Sequence, residues 1–203
     1  MMLARDHLYP DPSLLVTFLG LHDVTRFMSE PGASVLGLKV AFTFLLTSRG
    51  VPLIYYGDEI ALPGGADPDN RRDFPGGWPG DPRNAFEAGG RTPDEQAAFA
   101  HVRRLCRLRA ELRPLRGGAT ANLAVGERTW VYARKKDGQT VVVALNNGGS
   151  VATIDVPAAA AGLADGTVLV DRLGSLAEAS VEGSRLHITL PGWSSAVYAA
   201  TGR

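Results

Sequence analysis

The chain has 203 residues, 45% of them hydrophobic, and its 21 basic and 21 acidic side chains cancel to zero net charge. That is enough apolar material to build a core, in one medium domain or two small ones, and it argues against disorder. The balance gives no electrostatic pull towards nucleic acid or an anionic membrane. A single cysteine, Cys106, excludes an intrachain disulfide, and no zinc-type ligand cluster is present.

Residues 1–7 lack the apolar run of a secretory leader. The most apolar later stretch, 35–48, contains Lys39 and falls short of the roughly 20 residues a membrane span needs. No nucleic-acid partner, no membrane partner, no metal and no cofactor are expected.

In chain order, Leu14-Leu15-Val16-Thr17-Phe18-Leu19 is continuously apolar, which predicts a parallel strand buried on both faces. Residues 34–49 carry Val35, Leu38, Phe42, Leu45 and Leu46 at helical spacing, with Gly50 as a C-terminal cap. Val51-Pro52-Leu53-Ile54-Tyr55-Tyr56 predicts a second strand with Pro52 at its start. The three together make one βαβ unit.

A long segment rich in Gly, Pro, Asp and Asn then runs from 57 to 90; loops of this length are usually functional or disordered, and its aromatic residues argue for order. Thr92, Pro93 and Glu95 form a capping-box pattern ahead of a helix to about residue 112. Phe99, Val102, Leu105, Cys106 and Leu108 are expected to face inward, with Cys106 a buried and inert thiol. Arg103, Arg104, Arg107 and Arg113 read as the solvated face of that helix.

After Pro114 the texture changes to short β-rich runs at 128–134, 140–146, 150–156, 167–171, 185–190 and 194–199. Asp137-Gly138 and Asn147-Gly148 are hairpin signals. Trp130, Tyr132 and Tyr198 fall within these runs and Trp193 just ahead of the last one, all four as candidate core. The pattern predicts an antiparallel β-sandwich over 117–203, divided from an α/β portion over 1–116 near Arg116-Gly117-Gly118.

Phe18-Leu19-Gly20-Leu21-His22-Asp23 places an imidazole and a carboxylate where the first strand emerges. In (β/α)₈ barrels that end of a strand faces the active site. The residues alone equally allow Asp23 to cap a turn and His22 to be a surface residue. The segment Gly50-Val51-Pro52-Leu53-Ile54-Tyr55-Tyr56-Gly57-Asp58-Glu59 resembles the eighth-strand signature of the α-amylase family, glycoside hydrolase family 13. The earlier segment resembles that family's seventh-strand region, with Leu21 where an Asn is common and unable to make that Asn's hydrogen bonds.

This resemblance covers nearly the whole chain and implies the last two strands and helices of a (β/α)₈ barrel followed by a β-domain. It implies that Asp23 is the family's third acidic residue, which stabilises the transition state by binding sugar hydroxyls, and that His22 binds substrate in the same subsite. Gly64-Gly65-Ala66-Asp67-Pro68-Asp69-Asn70-Arg71-Arg72 resembles the Asp-Pro-x-x-Arg loop of neopullulanases and cyclomaltodextrinases, which makes Asp67 and Arg71 substrate-binding residues. Two other readings of this loop stand open: Asp67, Asp69 and Asp73 as calcium ligands, although the Gly and terminal Glu of an EF-hand are missing, or Asp67 and Arg71 paired only with each other. Phe74 and Trp78 read as loop-packing residues, and Asp58 and Glu59 as structural ones.

A retaining glycosidase needs a nucleophile and an acid/base flanking the scissile bond. The family carries both upstream of its seventh strand, and no Gly-Phe-Arg-x-Asp-like segment occurs here. The chain is therefore expected to be an inactive C-terminal fragment of an α-glucan-acting retaining hydrolase, able to self-associate through open barrel edges. The alternative is a non-catalytic carbohydrate-binding or interaction module; a purely structural tail is the preferred reading of the β-domain alone.

Overall fold

The computed structural model describes residues 2–200, with side chains from residue 5 onwards. Strands β1 (Val16–Phe18) and β2 (Val51–Leu53) lie parallel, Val16 opposite Val51 and Phe18 opposite Leu53, joined by helix α1 (Val35–Thr47). The βαβ unit expected from the apolar pattern is present. Ser34 opens α1 by accepting from the Gly37 amide at 3.1 Å.

The other end of α1 is closed from outside. Arg109 donates to the carbonyls of Leu46, Ser48 and Gly50 at 2.9, 3.1 and 2.6 Å, placing a cation on the carbonyls that a helix end leaves unpaired. Ser48, not Gly50, is the C-terminal cap. Gly50 has φ 100°, and a Cβ there would lie 2.5 Å from the Leu15 carbonyl. Only glycine allows the approach that lets the Val51 amide bond Leu15 O at 2.9 Å.

The run 14–19 is not a strand buried on both faces. Val16 and Phe18 are exposed, because β1 and β2 form a sheet of two strands with no third strand beside them among the described residues. The second strand is also shorter than expected; it stops at Leu53, and Pro52 takes its middle position.

Helix α2 (Pro93–Glu111) starts on the expected capping box, with Glu95 N to Thr92 Oγ1 at 3.2 Å and Thr92 N to Glu95 Oε2 at 2.8 Å. It buries Ala98, Val102, Leu105 and Leu108. Cys106 is exposed, which corrects the expectation of a buried thiol: it sits one position past Leu105, on the shoulder of the 3.6-residue stripe that faces the core. Phe99 packs instead against Ile60, Leu62 and Ala85 of the long loop.

A short helix, α3 (Arg113–Gly117), leads into eight strands: β3 (Ala119–Val125), β4 (Thr129–Lys136), β5 (Gln139–Asn146), β6 (Ala152–Pro157), β7 (Val168–Asp171), β8 (Ala179–Glu182), β9 (Arg185–Leu190) and β10 (Ser194–Ala200), with helix α4 (Ala158–Ala161) after β6. All pairings are antiparallel, in the order β3-β4-β5-β10-β7-β8-β9-β6. The expected sandwich of two sheets is instead one continuous sheet, nearly closed on itself. β10 pairs with both β5 and β7, so the hydrogen-bond ladder passes between the halves unbroken.

Asp137-Gly138 makes the expected hairpin, with φ 50° and 75° at the two turn residues. Asn147-Gly148 does not, because β5 and the following β6 lie apart in the sheet. Trp193 lies in the turn before β10 with φ 51°, whereas Tyr132 and Tyr198 are buried within strands.

Two cores share the middle of the sheet. Tyr132, Val143 and Val197 face outward onto Leu38, Phe42 and Leu45 of α1 and Leu105 and Leu108 of α2. Val131, Val142 and Tyr198 face inward onto Leu169, Val181, Leu186 and Ile188. Strands β4, β5 and β10 are thus buried on both faces, which explains why 141–145 reads as an unbroken apolar run rather than an alternating one.

A polar latch joins α1, α2 and β10. His101 Nε2 lies 2.9 Å from the Lys39 carbonyl and 3.0 Å from Thr43 Oγ1, which in turn lies 2.8 Å from Ser195 Oγ. Burial, reinforced by the Lys39 charge and opposed by Asp171, lowers the His101 imidazole to about 4. The unfolded chain therefore takes up a proton here before the folded one does, and stability falls as pH drops from about 6.5 towards 4. Denaturation of wild type and His101→Gln between pH 4 and 7 should show the wild type losing about 2–3 kcal/mol relative to the variant as pH falls; parallel profiles would contradict this.

Candidate functional site

The site grows from the ends of β1 and β2. A Cβ at Gly20 would lie 2.5 Å from Asp58 Oδ2, so glycine is what lets the two strand exits press together. Beneath this corner lies Arg26, 0% exposed. Its Nη1 donates to Asp58 Oδ1 at 3.0 Å and to the Tyr56 carbonyl at 2.7 Å, and its Nε to the Asn70 carbonyl at 2.8 Å. The guanidinium carbon stands 4.5 and 4.8 Å from the ring centres of Tyr55 and Tyr56. A carboxylate, two carbonyls and two aromatic faces together offset the cost of burying this charge. Burial pushes the Asp58 carboxyl up to about 6, against the pull of Arg26.

Asn70, also fully buried, sits next to this clamp. Its Nδ2 donates to the carbonyls of His22 at 2.8 Å and Val24 at 3.0 Å, holding the backbone on both sides of Asp23. Arg71 follows at the surface. Its Nε donates to Asp67 Oδ1 at 3.0 Å and to the His22 carbonyl at 3.1 Å, and its Nη2 lies 3.7 Å from Asp23 Oδ1. His22 Nε2 lies 3.2 Å from Asp23 Oδ2.

The four residues singled out in the sequence, His22, Asp23, Asp67 and Arg71, thus form one cluster. Arg71 is its hub, so the pairing of Asp67 and Arg71 is not an isolated one. Asp23 is 67% and His22 58% exposed, so these charges meet in water, where each pair is weak and a ligand's hydroxyls can displace it. A carboxylate accepts from two hydroxyls while a guanidinium donates in a planar fork, a combination suited to vicinal diols.

Asp69 pairs with Arg72, and Asp67 with Arg71; no group of three metal-ligating side chains is found among the described residues. Phe74 packs on Phe86 with ring centres 4.4 Å apart, whereas Trp78 is largely exposed. Arg26 and Asn70 are the residues that sequence reasoning missed. The only signals for them were a charged residue three positions after Asp23 and an Asn inside an otherwise charged loop.

A family model described as "Alpha amylase, catalytic domain" matches residues 4–115. The chain is 34% identical over 160 residues to a cyclomaltodextrinase from Geobacillus thermopakistaniensis, an alignment covering 77% of this chain and 25% of the relative. It is 34% identical over 151 residues to neopullulanase 2 from Thermoactinomyces vulgaris, covering 72% and 24%. Among solved structures, an Anoxybacillus α-amylase superimposes with a TM-score of 0.82 at 27% identity, covering 100% of this chain and 41% of that one. The chain therefore spans about a quarter of the length of the curated relatives it matches.

Replacing Asn70 by Ala removes its two bonds to the backbone on either side of Asp23 and leaves only the Arg71 bond to the His22 carbonyl. The expected cost is about 1–3 kcal/mol, with faster amide hydrogen exchange concentrated in residues 21–26. Unchanged exchange there would show that Asn70 does not hold this corner.

Proposed function

The chain belongs to the α-amylase family, and from that premise we propose that it carries the sugar-binding edge of an α-glucan-acting, retaining glycoside hydrolase site of neopullulanase or cyclomaltodextrinase type. One observation carries this reading: Arg71 gathers Asp23, His22 and Asp67 into one open polar surface at the C-terminal end of β1, the end at which barrel enzymes act.

In this reading Asp23 accepts hydrogen bonds from hydroxyls of the sugar being cleaved. Those bonds strengthen as the ring approaches an oxocarbenium-like transition state, and that difference is what accelerates the reaction. His22 donates to a sugar oxygen in the same subsite. Asp67 and Arg71 hold a neighbouring glucose unit. The nucleophile and the acid/base are carboxylates we place outside residues 1–203, so this chain alone binds and does not cleave.

We also propose that residues 1–116 are the end of a (β/α)₈ barrel and residues 117–203 a separate trailing β-domain. The exposed Val16, Phe18 and Val51 on open strand edges support self-association of the isolated chain. A second reading, a non-catalytic carbohydrate-binding module, is favoured by the groove in which Trp130 lies beside Phe27 and Phe44.

Calorimetry with maltooligosaccharide separates the two. Asp23→Asn and Arg71→Gln should each weaken binding about tenfold or more, the worth of one charge-assisted hydrogen bond, while Trp130→Ala leaves it unchanged. Loss on Trp130→Ala alone would favour the module. Turnover of starch or cyclodextrin by the purified chain at the rate of a complete amylase would overturn the assignment of the covalent chemistry.

A further inference from the structure

On the opposite side of the βαβ unit from His22 and Asp23, where α3 hands over to the sheet, lies a cleft of about 400 Å³. Three guanidinium groups line it, those of Arg49, Arg116 and Arg134, and Lys136 Nζ stands close to Gly117 at its rim. It shares no residue with the sugar-binding cluster.

Of the two acids at this cleft, one is ion-paired and the other, Asp11, is exposed. Asp6 takes Arg49 in a fork, with Nε to Oδ1 and Oδ2 at 2.9 and 3.0 Å and Nη2 to Oδ1 at 2.5 Å. Asp11 accepts from the Ser13 amide at 2.9 Å. Arg134 is different. It is 1% exposed, and no carboxylate lies within ion-pair distance of it among the described residues; Nε reaches the Pro114 carbonyl at 3.4 Å and Nη1 the Thr120 hydroxyl at 2.5 Å.

An Arg buried without an acid is costly, and Arg retains its charge under all ordinary conditions. Burial lowers the Arg134 guanidinium to about 10, still far above neutral pH. Two side chains beside it keep a free donor. Asn122 uses Oδ1 to accept from Trp130 Nε1 at 3.0 Å, which leaves its amide N–H groups free. Thr120 accepts from Arg134, which leaves its hydroxyl proton free to donate.

Three guanidinium groups, one of them buried without an ion-pair partner, stand against two carboxylates, one of which is already paired with Arg49, so the cleft keeps an excess of positive charge beside free amide and hydroxyl donors. We propose that this cleft binds a small tetrahedral oxyanion, inorganic phosphate or the phosphate of a phosphorylated sugar. Arg134 and Arg116 supply the charge, and Thr120 and Asn122 supply hydrogen bonds to the remaining oxygens. Phosphate suits it because it offers several strong acceptor oxygens and carries more than one negative charge near neutral pH.

Trp130 lines the cleft and gives a direct readout. At low ionic strength, inorganic phosphate added to the 203-residue chain should change tryptophan fluorescence saturably and raise the melting temperature, and Trp130→Phe should abolish the fluorescence change while leaving the thermal shift. Arg134→Met should weaken the response at least tenfold. Arg116→Gln, at an exposed position that leaves folding intact, should weaken it several-fold. A sugar phosphate binding tenfold more tightly than inorganic phosphate identifies a phosphorylated sugar as the ligand; equal affinities identify the free ion. The proposal is overturned if sodium chloride at matched ionic strength gives the same response, if Arg116→Gln titrates as wild type, or if no saturation occurs up to about 50 mM.

Discussion

The geometry of the cluster of His22, Asp23, Asp67 and Arg71 depends on one buried cation. Arg26 leaves the surface three residues after Asp23 and inserts beneath the corner, where it binds the carbonyls of Tyr56 and Asn70 and the Asp58 carboxylate. These partners come from two stretches, the exit of β2 and the loop around residue 70. A guanidinium cannot shed its charge to escape the cost of burial, so all of those groups must stay in place while it is buried. The constraint is structural in origin, yet its consequence is chemical: the segment bearing Asp67 and Arg71 is held against the segment bearing His22 and Asp23.

The division of labour follows from burial. Arg26 and Asn70 are fully buried and lock backbone positions, whereas the four side chains above them are 47–67% exposed and only loosely paired. Strong bonds below and weak ones above leave the surface pairs open to exchange without disturbing the scaffold. At the other side of the unit, the βαβ elements lean on the sheet. Tyr132 reaches Thr47 at 2.5 Å, and Leu38, Phe42 and Leu108 pack on Val143 and Val197. The helices thereby bury an apolar face that two strands alone leave open.

Much of this was legible in the sequence where local chemistry decides the outcome. The Thr92–Glu95 capping box, the Asp137-Gly138 turn and the helical spacing of Val35 to Leu46 each depend on short-range rules. The parallel pairing of β1 with β2 followed from the helix between them, and His22, Asp23, Asp67 and Arg71 from motif resemblance. What escaped was set by distant partners. Strand β3 is rich in Ala and β8 is only four residues long, and both become strands because neighbours complete their ladders. Asn147-Gly148 has hairpin chemistry, yet β5 finds a better partner in β10. Cys106 was misplaced by a single position on the helix. Arg26 and Asn70 look like ordinary loop residues until a segment more than thirty positions away folds over them.

The central claim is that Arg26 couples the two halves of the site, and hydrogen exchange of Arg26→Met tests it most directly. The account predicts that residues 20–26 and 64–72 lose amide protection together, while 129–146 in the sheet keep theirs. Protection retained in both segments, or lost in only one of them, would contradict it.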